Sequence, residues 1–254
     1  MAGIAAAIAK IAATGFVIYL TLFLLGLGLS HYLMGKRGYF QTGALAPWIG
    51  VIQTAVLLQF AGFAGLGTNL SWPIPILAGA GTLGLAGIFS DFKRMAHYLK
   101  GAAVLGALIS LFTAVLMMPA LTRKPQGVTS FTIGNNDIFD YTLCAQWLKE
   151  NGTGKFAEAY FQIRGLNIYD PECKVRLAQW SWDAGREIKW MAASFGYLVR
   201  WLPVYVLAFC SSVTRVNPEY LYSLITILSL GMSLPLMAAM LKGTFGLNGF
   251  AAMI

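Results

Sequence analysis

The chain has 254 residues, 57% of them hydrophobic and only 11% charged. Charged residues make up about a quarter of an ordinary soluble domain, so this balance excludes one and points to lipid as the solvent. The formal net charge of +8 is spread singly or in pairs at the ends of apolar runs, which excludes the basic stripe of a nucleic-acid-binding surface.

Six apolar segments reach, or come close to, the ~20 residues that a helix needs to cross a bilayer. The first is 12–33, within MAGIAAAIAKIAATGFVIYLTLFLLGLGLS. It is too long for the apolar centre of a signal peptide and reads as a retained helix. The second, 47–67, opens at Pro47-Trp48, and the third, 73–90, at Trp72-Pro73. Lys93, Arg94 and Lys100 precede the fourth, 101–120; the fifth is 196–213 and the sixth 219–241. Small residues four apart, Ala61 and Gly65 or Ala80 and Gly84, let such helices approach closely.

The fold class expected is therefore all-α, a polytopic membrane protein with about six transmembrane helices. Loops 34–46, 91–100 and 214–218 carry two, three and one basic residues, the last being Arg215, whereas GLGTNLSWP at 65–73 carries none. The positive-inside rule then puts the three basic loops in the cytoplasm and the amino terminus outside. Residues 121–195 also fall outside, as an extracytoplasmic cap between helices four and five. The organisation expected is a four-helix region over 1–120, the cap over 121–195, and two further helices over 196–254.

The cap stretch holds eight of the ten acidic residues, from Asp137 to Glu187. Within IGNNDIFDYTLCAQWLKENG, Asn136 or Asp137 can cap a helix whose apolar positions are Ile138, Tyr141, Ala145 and Leu148. Asn151-Gly152 stops it. Further short helices are expected over 154–164 and from 172, the latter bearing Trp180, Trp182 and Trp190, a composition suited to the headgroup layer. Asp137 and Asp140 share one side of the first turn, where the helix dipole favours carboxylates. A cap and a first-turn acid account for that spacing as well as a catalytic pair does.

PALTRKPQGVTSFTIGNNDIFDYTLCAQWLKENG at 119–152 and YLVRWLPVYVLAFCSSVTRVNPEYLYSLITILSLGMSLPLMAAMLKGTFGLNG at 197–249 together resemble the core of GT-C-type polytopic glycosyltransferases. The resemblance covers about half the chain and implies the amino-terminal portion of such an enzyme, which uses a polyprenyl-phosphate-linked sugar as donor. It implies a catalytic carboxylate in the external loop, Asp137 first and Asp140 second, to activate the acceptor hydroxyl. Arg123, Lys124 and Arg200 are the cations expected to meet the departing lipid phosphate; snorkelling to the interface explains the first two equally well. A divalent metal ion, held by one or two carboxylates and donor phosphate, fits the same chemistry without being demanded by it.

Cys144 and Cys173, both in the external stretch, admit a disulfide in an oxidising compartment, while Cys210 reads as packing. His31 and His97 read as interfacial polar residues, with axial ligation of one haem or chlorophyll as the sharper option. Membrane lipids and other membrane subunits are the partners expected, with no nucleic acid. The competing function is a non-catalytic subunit of a larger membrane complex, docked through the cap. Coupled transport is disfavoured because the spans lack internal acidic residues.

Overall fold

The computed structural model describes residues 2–34, 38–64, 66, 71–123, 141–142, 145–146, 148–149 and 201–245. Among these the chain is all-helical, with α1 at Ala2–Met34, α2 at Tyr39–Phe63, α3 at Pro73–Leu85, α4 at Phe92–Arg123, α5 at Trp201–Thr214 and α6 at Pro218–Phe245. Four of them, α1, α2, α4 and α6, are long and apolar enough to cross a membrane, which points to a multi-pass membrane protein. Of the other two, α3 has 13 residues and spans only about 20 Å at 1.5 Å per residue, against a hydrocarbon core of about 30 Å, while α5 has 14 residues within the described part of the chain.

Helix ends follow local chemistry. α3 opens at Pro73, whose fixed φ suits a first helical position. It closes in a Schellman motif: Gly87 is left-handed (φ 67°) and donates to Gly84 O, and Ile88 donates to Leu83 O at 3.1 Å. Ile88 and Leu83 are both buried, supplying the apolar contact that accompanies this cap. Asp91 then caps α4, its Oδ1 accepting the Arg94 backbone N–H at 3.0 Å. α6 begins Asn217-Pro218-Glu219, an N-cap residue, a first-position proline and a first-turn acid.

Several expected boundaries shift. Pro47 lies inside α2, which starts eight residues earlier at Tyr39. Lys93, Arg94 and Lys100, read as loop residues, stand on the opening turns of α4. A 32-residue helix is about 48 Å long, so its polar first turns reach past the hydrocarbon without breaking the backbone ladder.

The chain divides into two compact units, one of residues 1–54, 73–131 and 220–254, the other of 55–72 and 132–219. In the first, α1 is the central element and packs on α3 and α4. Its own glycines bring backbones together: a Cβ on Gly26 would strike Ala46 O, and one on Gly28 would strike Thr82. Gly50 of α2 meets Leu22 of α1 in the same way. α4 buries one helical stripe, Tyr98, Ala102, Gly106, Ile109, Thr113 and Met117, and leaves Val104, Leu108, Leu111 and Val115 exposed. The exposed side is the one suited to lipid.

The contacts fix helix directions. Leu25 and Gly28 lie against Gly79 and Thr82 of α3, and Gly15 and His31 against Ser110 and Tyr98 of α4. Leu22 lies against Gly50 of α2, and Ser30 Oγ donates to Thr42 O at 2.8 Å. Gly15 lies against Leu228 of α6, and Met34 lines one hollow with Ala239 and Gly243. Hence α2 and α4 run antiparallel to α1, while α3 and α6 run parallel to it. Trp48 Nε1 donates to Met232 O at 3.3 Å, beside the ladder interruption that Pro235 makes in α6. Because α6 is parallel to α1, it starts at the end of the bundle away from Lys93 and Arg94.

In the second unit, α5 is buried continuously from Val204 to Ser211, as befits a helix that is apolar all round. It ends at Arg215 in the left-handed conformation (φ 57°). Residues 141, 142, 145, 146, 148 and 149 are helical, and Ala145 and Leu148, two of the four expected apolar positions, are buried. Lys149 Nζ donates to Ser211 Oγ at 3.4 Å.

Candidate functional site

Of the residues singled out in the sequence, Asp137, Asp140, Lys124, Arg200, Cys144 and Cys173 lie outside the described residues. Arg123 is the last residue of α4. Cys210 is a buried free thiol in α5. Among the described residues no group of three or more His, Cys, Asp or Glu is arranged to hold a metal ion.

The structure instead gathers polar side chains at the end of the first unit where α1 finishes and α4 begins. His31 Nδ1 lies 2.9 Å from the Tyr98 hydroxyl. Ring contacts continue from Tyr98 to Tyr39 at 5.1 Å between centroids, and from Tyr39 to His97 at 4.4 Å. The antiparallel packing of α1 with α2 and α4 creates this row, because it sets the last turn of α1 beside the first turns of the other two. His31 and His97 are thus each engaged by a tyrosine, and the ring row His31–Tyr98–Tyr39–His97 connects them.

A hollow of about 600 Å³ opens here, lined by His31, Tyr32, Tyr39, Thr42, Arg94 and Tyr98 together with Gly38, Leu85 and Ala86. Arg94 Nε is held 3.4 Å from Asp91 Oδ2, so the capping residue of α4 also orients the guanidinium. Small residues keep the hollow open: Gly38 is left-handed (φ 45°) at the start of α2, and Ala86 precedes the turn at Gly87.

A second hollow of about 500 Å³ shares Tyr39 and Tyr98 with the first. Its walls are mainly apolar, among them Phe23, Phe40, Ala44, Val104 and Leu108, with His97 and Lys100 on its border. Gly43 and Gly101 also line it. A Cβ on Gly101 would meet nothing within 4 Å, so this part of the groove is empty space rather than a packed seam.

Sequence reasoning recognised the two histidines as interfacial but did not pair them with tyrosines. The signal present was a repeated dipeptide, His31-Tyr32 and His97-Tyr98, each at the border of an apolar run. Which tyrosine serves which histidine depends on helix packing: His31 takes Tyr98, not its own neighbour.

Comparison of the chain with protein-family models, with curated proteins and with solved structures found no match.

Proposed function

We propose that the chain is the membrane bundle of a glycosyltransferase similar to the GT-C type, moving a sugar from a polyprenyl-phosphate donor to an acceptor hydroxyl at the extracytoplasmic face. The observation that carries this reading is the direction of α4. It runs antiparallel to α1 and ends at Arg123, so the chain leaves the bundle at the end where α1 begins. The segment that follows holds Lys124, Asp137 and Asp140 in sequence, and on this reading it lies at that membrane face.

On this reading Asp137 accepts the proton of the acceptor hydroxyl as its oxygen attacks the anomeric carbon. The bond from that carbon to the phosphate oxygen breaks, and the lipid phosphate leaves with the electron pair. Arg123, Lys124 and Arg200 stabilise the charge that grows there, with Asp140 beside the base. A divalent ion on the carboxylates and the phosphate would serve the same end. The start of α1 and the segment after Arg123 face outward, and the turn between α3 and α4 faces the cytoplasm, in keeping with Lys93, Arg94 and Lys100. On this reading all six helices lie in the membrane.

The test is transfer from a polyprenyl-phosphate sugar by the purified full chain, comparing Asp137→Asn, Asp140→Asn and the Arg123→Gln/Lys124→Gln pair. Loss of a general base lowers the rate by about 10²–10⁴-fold, which is the result expected for Asp137→Asn. Full activity in both aspartate variants would overturn the assignment. No turnover by the unmodified chain, with co-purification of other membrane subunits, would favour a non-catalytic docking role.

A further inference from the structure

We infer that the end of the bundle opposite Arg123 holds an acidic phospholipid. Its headgroup phosphate sits in the hollow beside His31 and Arg94, and one acyl chain lies along the groove over α1 between α2 and α4.

Charge gives the first argument. His31 and Arg94 line the hollow, His97 and Lys100 border the groove, and Lys93 stands on the same turns of α4. The acidic residue here among the described ones is Asp91, which Arg94 already engages through Nε. A guanidinium anchored on one side presents its remaining N–H groups in a fixed fork, the geometry that recognises phosphate oxygens. Basic pockets between membrane helices near the headgroup level select anionic lipids for this reason.

Continuity gives the second. A soluble anion would need the polar hollow alone, yet Tyr39 and Tyr98 form a wall common to that hollow and the apolar groove. From Lys100 to Leu108 the groove follows α4 for about 12 Å at 1.5 Å per residue, a length suited to much of an acyl chain. Val104 and Leu108, which line it, are 64% and 60% exposed, so it opens on the side of α4 that faces hydrocarbon. Gly43 and Gly101 leave room where any larger side chain would intrude. A ligand with a phosphate at one end and an apolar tail matches both hollows at once.

This site does not depend on the transferase reading, since it uses none of Arg123, Lys124, Asp137, Asp140 or Arg200. The full chain in neutral detergent, exchanged against equal amounts of phosphatidylglycerol and phosphatidylcholine, is analysed by native mass spectrometry for retained lipid. Phosphatidylglycerol should be retained about tenfold over phosphatidylcholine, given the contribution of each basic residue near an anionic headgroup. Arg94→Gln/Lys100→Gln should bring the two lipids close to parity. Gly101→Leu, which adds its side chain in open space within a helix, should reduce retention of both lipids without lowering the melting temperature. Excess inorganic phosphate should not displace the bound lipid. Equal retention of the two lipids by the unmodified chain would overturn the inference. So would an undiminished preference in Arg94→Gln/Lys100→Gln, undiminished retention in a folded Gly101→Leu, or ready displacement by phosphate.

Discussion

His31 Nδ1 and the Tyr98 hydroxyl, 67 positions apart in sequence, meet at 2.9 Å and tie the end of α1 to the start of α4. Tyr98 is buried and its ring also packs on Tyr39, so the hydroxyl can be removed without disturbing the rest of the contact. Tyr98→Phe should destabilise the bundle by about 0.5–1.5 kcal/mol for each bond it removes, the hydroxyl being hydrogen-bonded to Thr42 as well as to His31. A cycle with His31→Ala, read by unfolding in detergent micelles, isolates the pair. Strict additivity of the two variants would show that the bond contributes nothing.

Close backbone approach predicts a sharper effect. A methyl group on Gly26 would collide with the carbonyl of Ala46, and one on Gly50 with that of Leu22. Neither obstacle is a flexible side chain that can turn aside. Gly26→Ala and Gly50→Ala should each cost about 1–3 kcal/mol or more, by separating α1 from α2. Gly81→Ala and Gly243→Ala, where the added carbon meets nothing within 4 Å, should be neutral or stabilising by up to about 1 kcal/mol, since both lie in helices. Equal losses at all four positions, measured in the same micelles, would contradict the packing described.

The helical, membrane-length character of α1, α2, α4 and α6 was legible in their long apolar runs, and the start of α3 in Trp72-Pro73. The boundaries were less so. Hydropathy marks where a segment stops being oily, not where its backbone ladder stops. Thus α4 continues through Lys93, Arg94 and Lys100, and α2 carries Pro47 within it, since a proline costs one bond that close packing against a neighbour can offset. Nor could charge counting show that α6 runs opposite to α4, which follows from Gly15 lying against Leu228 and Met34 sharing a hollow with Ala239 and Gly243. The ring row was illegible for a related reason. His31 meets Tyr98 only because α1 and α4 pack antiparallel, with Gly15 against Ser110 and Gly106 against Tyr19, and no local spacing encodes that. The carboxylates of the transferase reading, Asp137 and Asp140, belong to the sequence argument alone.

Buried polar atoms without partners supply another prediction. Among the described residues, the Thr54 hydroxyl and both amide atoms of Gln53 are buried without a hydrogen-bond partner. Removing such a group's desolvation penalty is worth about 1–3 kcal/mol on protein mutational scales. Thr54→Val keeps the branched shape and should raise stability by about 1 kcal/mol, and Gln53→Met should do so by a similar amount. A drop in stability for both, measured by thermal unfolding, would mean that these groups have polar partners in the membrane.

The directions of α1, α4 and α6 predict which residues share a membrane face. Lys93, on the first turn of α4, lies at the end where α1 finishes; Tyr220, at the start of α6 and 42% exposed, lies at the end where α1 begins. Single cysteines are introduced at these two positions in a background where Cys144 and Cys173 are replaced by serine. Cys210 can stay because it is buried. A membrane-impermeant thiol reagent should then modify Lys93→Cys and Tyr220→Cys from opposite sides of sealed vesicles, with Tyr32→Cys behaving like Lys93→Cys. Positive-inside counting, which groups Arg215 with Lys93, anticipates modification from one side for both. Packing and charge counting thus give opposite answers for a residue five positions from Arg215. Should Lys93→Cys and Tyr220→Cys react from the same side, the parallel pairing of α1 with α6 fails; should Tyr32→Cys and Lys93→Cys react from opposite sides, the claim that α4 delivers Arg123 to the face from which α1 starts fails.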